Sequence, residues 1–179
     1  MTRLLLAAVL VSLLCPFCVA QDQQTLPTIE PHFNPPRPNC LDCTAAVVQE
    51  LGKAKAGSVV LVQAYSFTNA KIAQALVDAK TRGADVQVII DKGHAHENGS
   101  EVNTLKRGNV TVLFDGRRGR HHDLAHNKVI IKGKVVITGS FNFTEHAEHN
   151  AENLLVIRNA DLAAEYEKNW HEHETHSDP

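Results

Sequence analysis

Apart from Cys15 and Cys18 in its first twenty residues, this sequence has no cysteine pair beyond Cys40 and Cys43; it also has no excess of positive charge and no internal repeat, and each absence excludes a class of protein. Cys40-Leu41-Asp42-Cys43 could open a zinc site, but such sites need four ligands, and only His32 lies nearby to add one. Lys and Arg number 18 against 20 Asp and Glu, a net charge of −2, which argues against a general nucleic-acid-binding surface. No amphipathic helix suited to docking on lipid is evident. His94-Ala95-His96 and the trio His171, His173 and His176 are rich in imidazole, yet they close no ligand set, and the trio reads as a solvated acidic tail beside Glu172 and Glu174. No metal and no cofactor are therefore expected.

The first twenty residues read as a secretory signal: Arg3, then the apolar stretch Leu4 to Leu14, then Cys18-Val19-Ala20 as a small-x-small cleavage site. The apolar stretch is short for a bilayer span, which takes about 20 residues, and nothing after it stops transfer. Export to a secreted or periplasmic location follows as an expectation, with no stable membrane insertion once the signal is cut. Cleavage would remove Cys15 and Cys18 and move the net charge to −3, since the signal holds Arg3 and no carboxylate. In an oxidising compartment Cys40 and Cys43 are then expected as a disulfide, within one chain or between two.

Residues 21–40 carry five prolines among polar residues and read as an extended linker. A domain is expected over 41–174 and a polar tail over 175–179. Within the domain, a helix is predicted over Ala45–Lys55 and a strand over Ser58–Ser66, whose run Val59-Val60-Leu61-Val62 fits burial on both faces. Thr68 or Asn69 caps a second helix that Gly83 stops, and Asp85–Asp91 repeats the buried-strand pattern. A weak helix over Gly99–Lys106 precedes a strand over Val110–Phe114. Ala125–Ile131 and Lys134–Thr138 flank Lys132-Gly133 as a tight hairpin, followed by a strand over Asn153–Ile157 and a helix over Ala160–Trp170. Strands alternating with helices and then a hairpin predict an α/β fold, a mixed β-sheet flanked by helices in an α-β-α sandwich.

The chemistry concentrates after this alternation. His126 and Lys128 stand two apart on a strand and so project to one face. A neutral imidazole beside an ammonium suits attack on a phosphodiester: the ring is a nucleophile or base near neutrality, and the lysine offsets charge on phosphate oxygens. Gly139-Ser140-Phe141-Asn142, following the partner strand, returns a hydroxyl and an amide beside that pair. Between Leu105 and Lys134 stand eight basic residues against Asp115 and Asp123, a local attraction for an anionic substrate. Arg120 and His122, within that stretch, are the residues expected to meet substrate there.

His126-x-Lys128 with Gly139-Ser140-x-Asn142 resembles the signature of the phospholipase D superfamily, above all its short, single-motif bacterial endonuclease branch. The resemblance extends from about Ala45 to Trp170, through Ala64-Tyr65-Ser66-Phe67-Thr68 and Arg82-Gly83-Ala84-Asp85-Val86. It implies that His126 is a nucleophile forming a phosphohistidine and that Lys128 binds phosphate. Ser140 and Asn142 would support the phosphate or orient the histidine. Glu152 would fix the imidazole, with Glu148 as a substitute. The signature aspartate falls at Gly133, and the hairpin is one residue shorter than the family's. Superfamily enzymes use two such motifs, and this chain has one, so a homodimer is expected to complete the site.

The expected substrate is nucleic acid, DNA or RNA, with phospholipid headgroup esters as the alternative of the same chemistry. A metal-dependent nuclease would lose activity in chelator. A noncatalytic or impaired nucleic-acid-binding relative would bind in a salt-sensitive way and cleave nothing.

Overall fold

The computed structural model describes residues 26–116 and 124–179. The expected signal, residues 1–20, lies outside these, as do Arg120 and His122. Seven strands and four α-helices follow in the order β1 (Thr28–Asn34), α1 (Cys43–Gly52), β2 (Val59–Ala64), α2 (Ala70–Thr81), β3 (Asp85–Asp91), α3 (Val102–Arg107), β4 (Thr111–Asp115), β5 (Lys128–Lys132), β6 (Val135–Gly139), β7 (Glu152–Arg158) and α4 (Ala160–Glu174). A 3₁₀ turn over His146–His149 joins β6 to β7.

The strands form one mixed sheet in the order β1-β7-β6-β5-β2-β3-β4. The pairs β2–β3 and β3–β4 are parallel; β2–β5, β5–β6, β6–β7 and β1–β7 are antiparallel. Side-chain parity explains the continuous apolar runs. Val60, Val62, Val86, Val88, Ile90 and Ile130 pack with residues of α1, α2 and α3 on one face. Leu61, Ile89, Val129 and Ile131 pack with Ala163 and Trp170 of α4 on the other. A strand covered on both sides has no face for alternating polar residues, so β2, β3 and β5 share uninterrupted apolar centres, Val59–Val62, Val88–Ile90 and Val129–Ile131. Trp170 is fully buried, and its indole N–H donates to the Val62 carbonyl at 3.0 Å, pinning α4 to the sheet centre.

Helix starts follow the capping rules. Asp42 accepts from the Ala45 N–H at 2.7 Å and opens α1 two residues earlier than predicted. Of the two foreseen caps, Thr68 and Asn69, it is Asn69 that accepts from the Ile72 N–H at 3.1 Å and opens α2.

Four expectations need correction. Part of the presumed linker, Thr28–Asn34, is an edge strand paired along its length with β7, Thr28 opposite Arg158 and Asn34 opposite Glu152. A proline is tolerated at such an edge because the ladder needs no donor on the open side, and Pro31 sits there opposite Leu155. The hairpin turn is Gly133-Lys134, not Lys132-Gly133: Lys132 pairs with Val135, and Gly133 takes a φ of +56°, as a glycine first in a two-residue primed turn should. The disulfide within one chain is not formed: Cys40 and Cys43 are both free. Asn39, with φ +60°, turns the chain so that Cys40 is exposed, while Cys43 begins α1 facing the core. Burial, with the charges of Asp42 and Glu152 nearby, pushes the Cys43 thiol up to about 12, so it stays neutral. The tail is not a loose appendage: Asp178 bridges Phe114 on the open edge of β4, with N–H···O contacts of 2.7 and 2.9 Å.

Candidate functional site

The carboxyl ends of β2, β3 and β4 and the amino end of β5 share one edge of the sheet, because β5 runs antiparallel to β2 with Lys128 opposite Ala64. Chain leaving these ends meets there, the usual place for a site in an open α/β sheet. The segment before β5 is held from two sides. Asp91, 2% exposed at the end of β3, accepts from the Ala125 N–H at 2.9 Å and from the Gly93 N–H at 2.8 Å. The Asn127 carbonyl accepts from the Tyr65 N–H at 3.0 Å, carrying the β2–β5 ladder one step further.

His126 is exposed and Lys128 is buried at 9% exposure, so the ring stands at the surface with an ammonium beneath it. Lys128 Nζ donates to the His126 carbonyl at 2.7 Å and lies 3.1 Å from Nδ1 and 3.3 Å from Nε2 of the same ring. A hydrogen bond in line with one ring lone pair would leave the other nitrogen about 5 Å away. Near-equal distances therefore place the ammonium beside the ring between its nitrogens, and neither lone pair is aimed at it. The ring stays open to an electrophile while a positive charge waits behind it. Burial holds the Lys128 ammonium below the ordinary lysine value, and the nearby charge of Glu152 partly offsets this.

Ser140 and Glu152 meet directly: the hydroxyl donates to Glu152 Oε2 and accepts from the Asn153 N–H at 3.1 Å. Glu152, expected to hold the imidazole, instead contacts Ser140 and, at 3.4 Å, the Asn150 amide. Glu148 is drawn elsewhere, to Thr44 and Asn69 at 2.9 Å each and Lys71 at 3.2 Å, which removes it as a substitute. Gly139 is required by close approach: a Cβ there would lie 2.3 Å from the Asn153 carbonyl oxygen and 2.9 Å from Leu154 Cα. That contact lets Ser140 and Phe141 both donate to the Asn153 carbonyl, at 3.1 and 3.3 Å, and so aims the Ser140 hydroxyl. Asn142 Oδ1 is buried without a hydrogen-bond partner among the described residues. Unpaired buried polar atoms cost about 1–3 kcal/mol and concentrate where a structure keeps strain for function. Turned over, the same amide would point a donor inward.

Two residues join the site that sequence reasoning did not assign to it. Tyr65 lies between two imidazoles, with ring centroids 4.4 Å from His126 and 4.1 Å from His94. Lys128 Nζ sits 5.2 Å from the same phenol ring, a cation–π contact. His94 is fixed through Nδ1, 2.8 Å from Glu97, whose other oxygen accepts from Ser66. The signal was positional. Tyr65 and His94 follow the carboxyl ends of neighbouring parallel strands, yet His94 reads as one of many loop histidines until β2 and β3 are paired.

His32, the nearest histidine to the cysteines, is buried with Nδ1 3.4 Å from the Leu41 carbonyl. A separate cavity of about 430 Å³, lined by Ser58, Leu61, Lys132 and Glu167, lies at the far end of β2 and β5 and holds none of the expected site residues.

Residues 47–173 match the family described as cardiolipin synthase, PLD-like domain. The chain is 38% identical over 140 residues to a protein of Rickettsia conorii named phospholipase D, an alignment that covers 77% of this chain and 65% of that protein. It thus spans just under two thirds of that relative's length. The crystal structure of Nuc, a phospholipase D family member from Salmonella typhimurium, superposes with a TM-score of 0.74 at 31% identity, covering 84% of this chain and 96% of that one. NucT from Helicobacter pylori shares the fold, with a TM-score of 0.75 at 23% identity, over 84% of this chain and 98% of the other.

Proposed function

The chain belongs to the phospholipase D-like family, and we propose that it is an exported phosphodiesterase, a non-specific endonuclease acting on DNA or RNA through a covalent phosphohistidine at His126. The observation that carries this reading is the exposed His126 ring poised over the buried Lys128 ammonium. In the first step a neutral ring nitrogen of His126 attacks phosphorus, and the phosphorus–oxygen bond to the leaving alcohol breaks. The departing oxygen takes a proton from the imidazolium of a second copy of this chain, since one copy offers a single His-x-Lys motif. Water then attacks the phosphorus–nitrogen bond and gives its proton back to that second ring, freeing the phosphomonoester and His126. Lys128 opposes the charge that grows on the phosphate oxygens. Asn142 would steady those oxygens, and Ser140, whose hydroxyl proton goes to Glu152, would join it on releasing that contact. No step passes through a metal.

Nucleic acid is favoured by the six basic residues from Lys106 to Lys128, which suit a polyanion. Phospholipid is the second reading, favoured by the 38% identity to the Rickettsia protein named phospholipase D. One experiment separates them: plasmid DNA, RNA and phosphatidylcholine vesicles are incubated with wild type and His126→Asn, with and without chelator. Nucleic-acid cleavage that survives chelator and vanishes in the variant is expected. Release of choline without cleavage of either nucleic acid would reverse the choice of substrate, and cleavage by the variant would end the phosphohistidine reading. Sedimentation of the mature protein tests the dimer: a strictly monomeric, fully active species contradicts it. The amino-terminal sequence of the secreted protein tests export, with Gln21 as the expected first residue.

A further inference from the structure

On the edge strand β4, one strand beyond Asp91, three side chains converge from the strand end and from the C-terminal end of α4. Asp115 ends β4 and is 6% exposed, His173 lies in the last turn of α4, and His176 lies in the turn that follows. Asp115 Oδ2 stands 2.6 Å from His173 Nδ1, and Asp115 Oδ1 stands 3.3 Å from His176 Nε2. One donor atom from each residue lies within 4.8 Å of the other two. The two imidazoles are three residues apart on a helical turn, so they share a face, with centroids 5.1 Å apart.

We propose that Asp115, His173 and His176 form a binding site for a divalent transition ion, zinc by the chemistry of the donors. Ligands at 2.0–2.1 Å from a tetrahedral ion stand about 3.4 Å from one another. The 3.3 Å contact of His176 is made by Oδ1 and the 2.6 Å contact of His173 by Oδ2; with one donor atom taken from each residue, all three lie within 4.8 Å of one another and reach that spacing by closing at most about 1.4 Å. Two imidazoles and one carboxylate select zinc and its neighbours over magnesium or calcium, which prefer oxygen alone. Three protein ligands leave the fourth position to water.

The ligands are also held in place by partners of their own, as metal ligands generally are. The Gly116 N–H donates to Asp115 Oδ1 at 2.6 Å, and the Lys92 N–H donates to the Asp115 carbonyl at 2.7 Å. The His173 carbonyl accepts from the Ser177 hydroxyl at 2.9 Å. One residue beyond, the Asp178 bridge to Phe114 and the 2.6 Å contact between Lys92 and Asp178 fasten the turn to β4. Little ordering therefore remains when an ion arrives. Asp115 is also the register partner of Asp91, the residue that holds Ala125 beside His126. The ion would tie α4, the C-terminal turn and the edge strand together one strand beyond the His126 support, outside the phosphoryl transfer.

The test uses mature protein purified without a histidine tag, stripped of metal and titrated with zinc by calorimetry and with cobalt(II) by visible absorption. One ion per chain is expected, with a four-coordinate cobalt spectrum that zinc abolishes and a melting temperature that zinc raises. His173→Gln and His176→Gln should each weaken binding by more than about tenfold and abolish the zinc-induced rise. His171→Gln should leave both intact, because His171 faces Glu167 and Glu174 instead. A readout needing no variant is the ring-nitrogen resonances, of which zinc should shift those of His173 and His176. Absence of saturable binding, equal affinity in His173→Gln and His176→Gln, or a shift confined to other histidines overturns the site. Each of these readouts is independent of cleavage, so the site stands or falls apart from the proposed activity.

Discussion

At the residue scale the account turns on Lys128, a buried ammonium to which the proposed mechanism gives the task of opposing phosphate charge. Burial lowers its pKa, so between that value and the ordinary lysine value the unfolded chain binds more protons than the folded one. Stability therefore rises with pH through this window, and near neutrality the charge is a cost. Lys128→Met should melt no lower than wild type while losing about a hundredfold or more in activity, which calorimetry and a cleavage assay would check together. The lowered pKa also sets the alkaline limb of activity: cleavage should fall as pH rises through it, short of the ordinary lysine range. Lys128→Arg, always protonated, should keep a weak activity whose alkaline limb moves upward. An unmoved limb would assign that ionisation to another group.

At the element scale the β5–β6 hairpin and β7 deliver His126, Lys128, Ser140 and Glu152 to one place, and their spacing has a cost in sequence freedom. Gly139→Ala would drive a Cβ into the β7 backbone. The strands must part to admit it, so the variant should lose about 1–3 kcal/mol in denaturant unfolding and misplace Ser140. At the far end of β5, about 13 Å along the strand, Glu50 does purely structural work. It is buried on α1, 2.5 Å from Lys53 and Arg158 and 3.7 Å from Lys132. Glu50→Ala strands the half-sheltered Lys132 and should destabilise the fold by about 3 kcal/mol, while activity per folded molecule persists.

The same scale shows what the sequence makes legible. β2, β3 and β5 announce themselves because burial on both faces keeps their centres apolar, and α2 because Asn69 and Gly83 bracket it. β1 is silent: its Thr-Ile-Glu-Pro-His-Phe-Asn has no period, and its place is decided by β7, more than a hundred residues away. His126, Lys128 and Ser140 can be read from local spacing. Tyr65, His94 and Asp91 cannot, since their meeting depends on strand order. The cysteines mislead for the same reason: two residues between them permit many geometries, and Asp42 capping α1 selects one that turns Cys43 inward.

At the scale of the whole molecule, a sandwich whose helices cover both faces leaves the strand ends as the open ground, and that is where the imidazole stands. The family assignment and the fold agree with this placement. The central claim is that His126 becomes covalently phosphorylated, and it can be tested without choosing between nucleic acid and lipid. An activated aryl phosphodiester is mixed with the mature protein, quenched within the first turnover in alkali, which spares phosphohistidine, and digested for mass spectrometry. The account predicts an acid-labile phosphoramidate on the peptide carrying His126, and none in His126→Asn. Aryl alcohol release by wild type with no adduct on that peptide, or equal release by the variant, would contradict it.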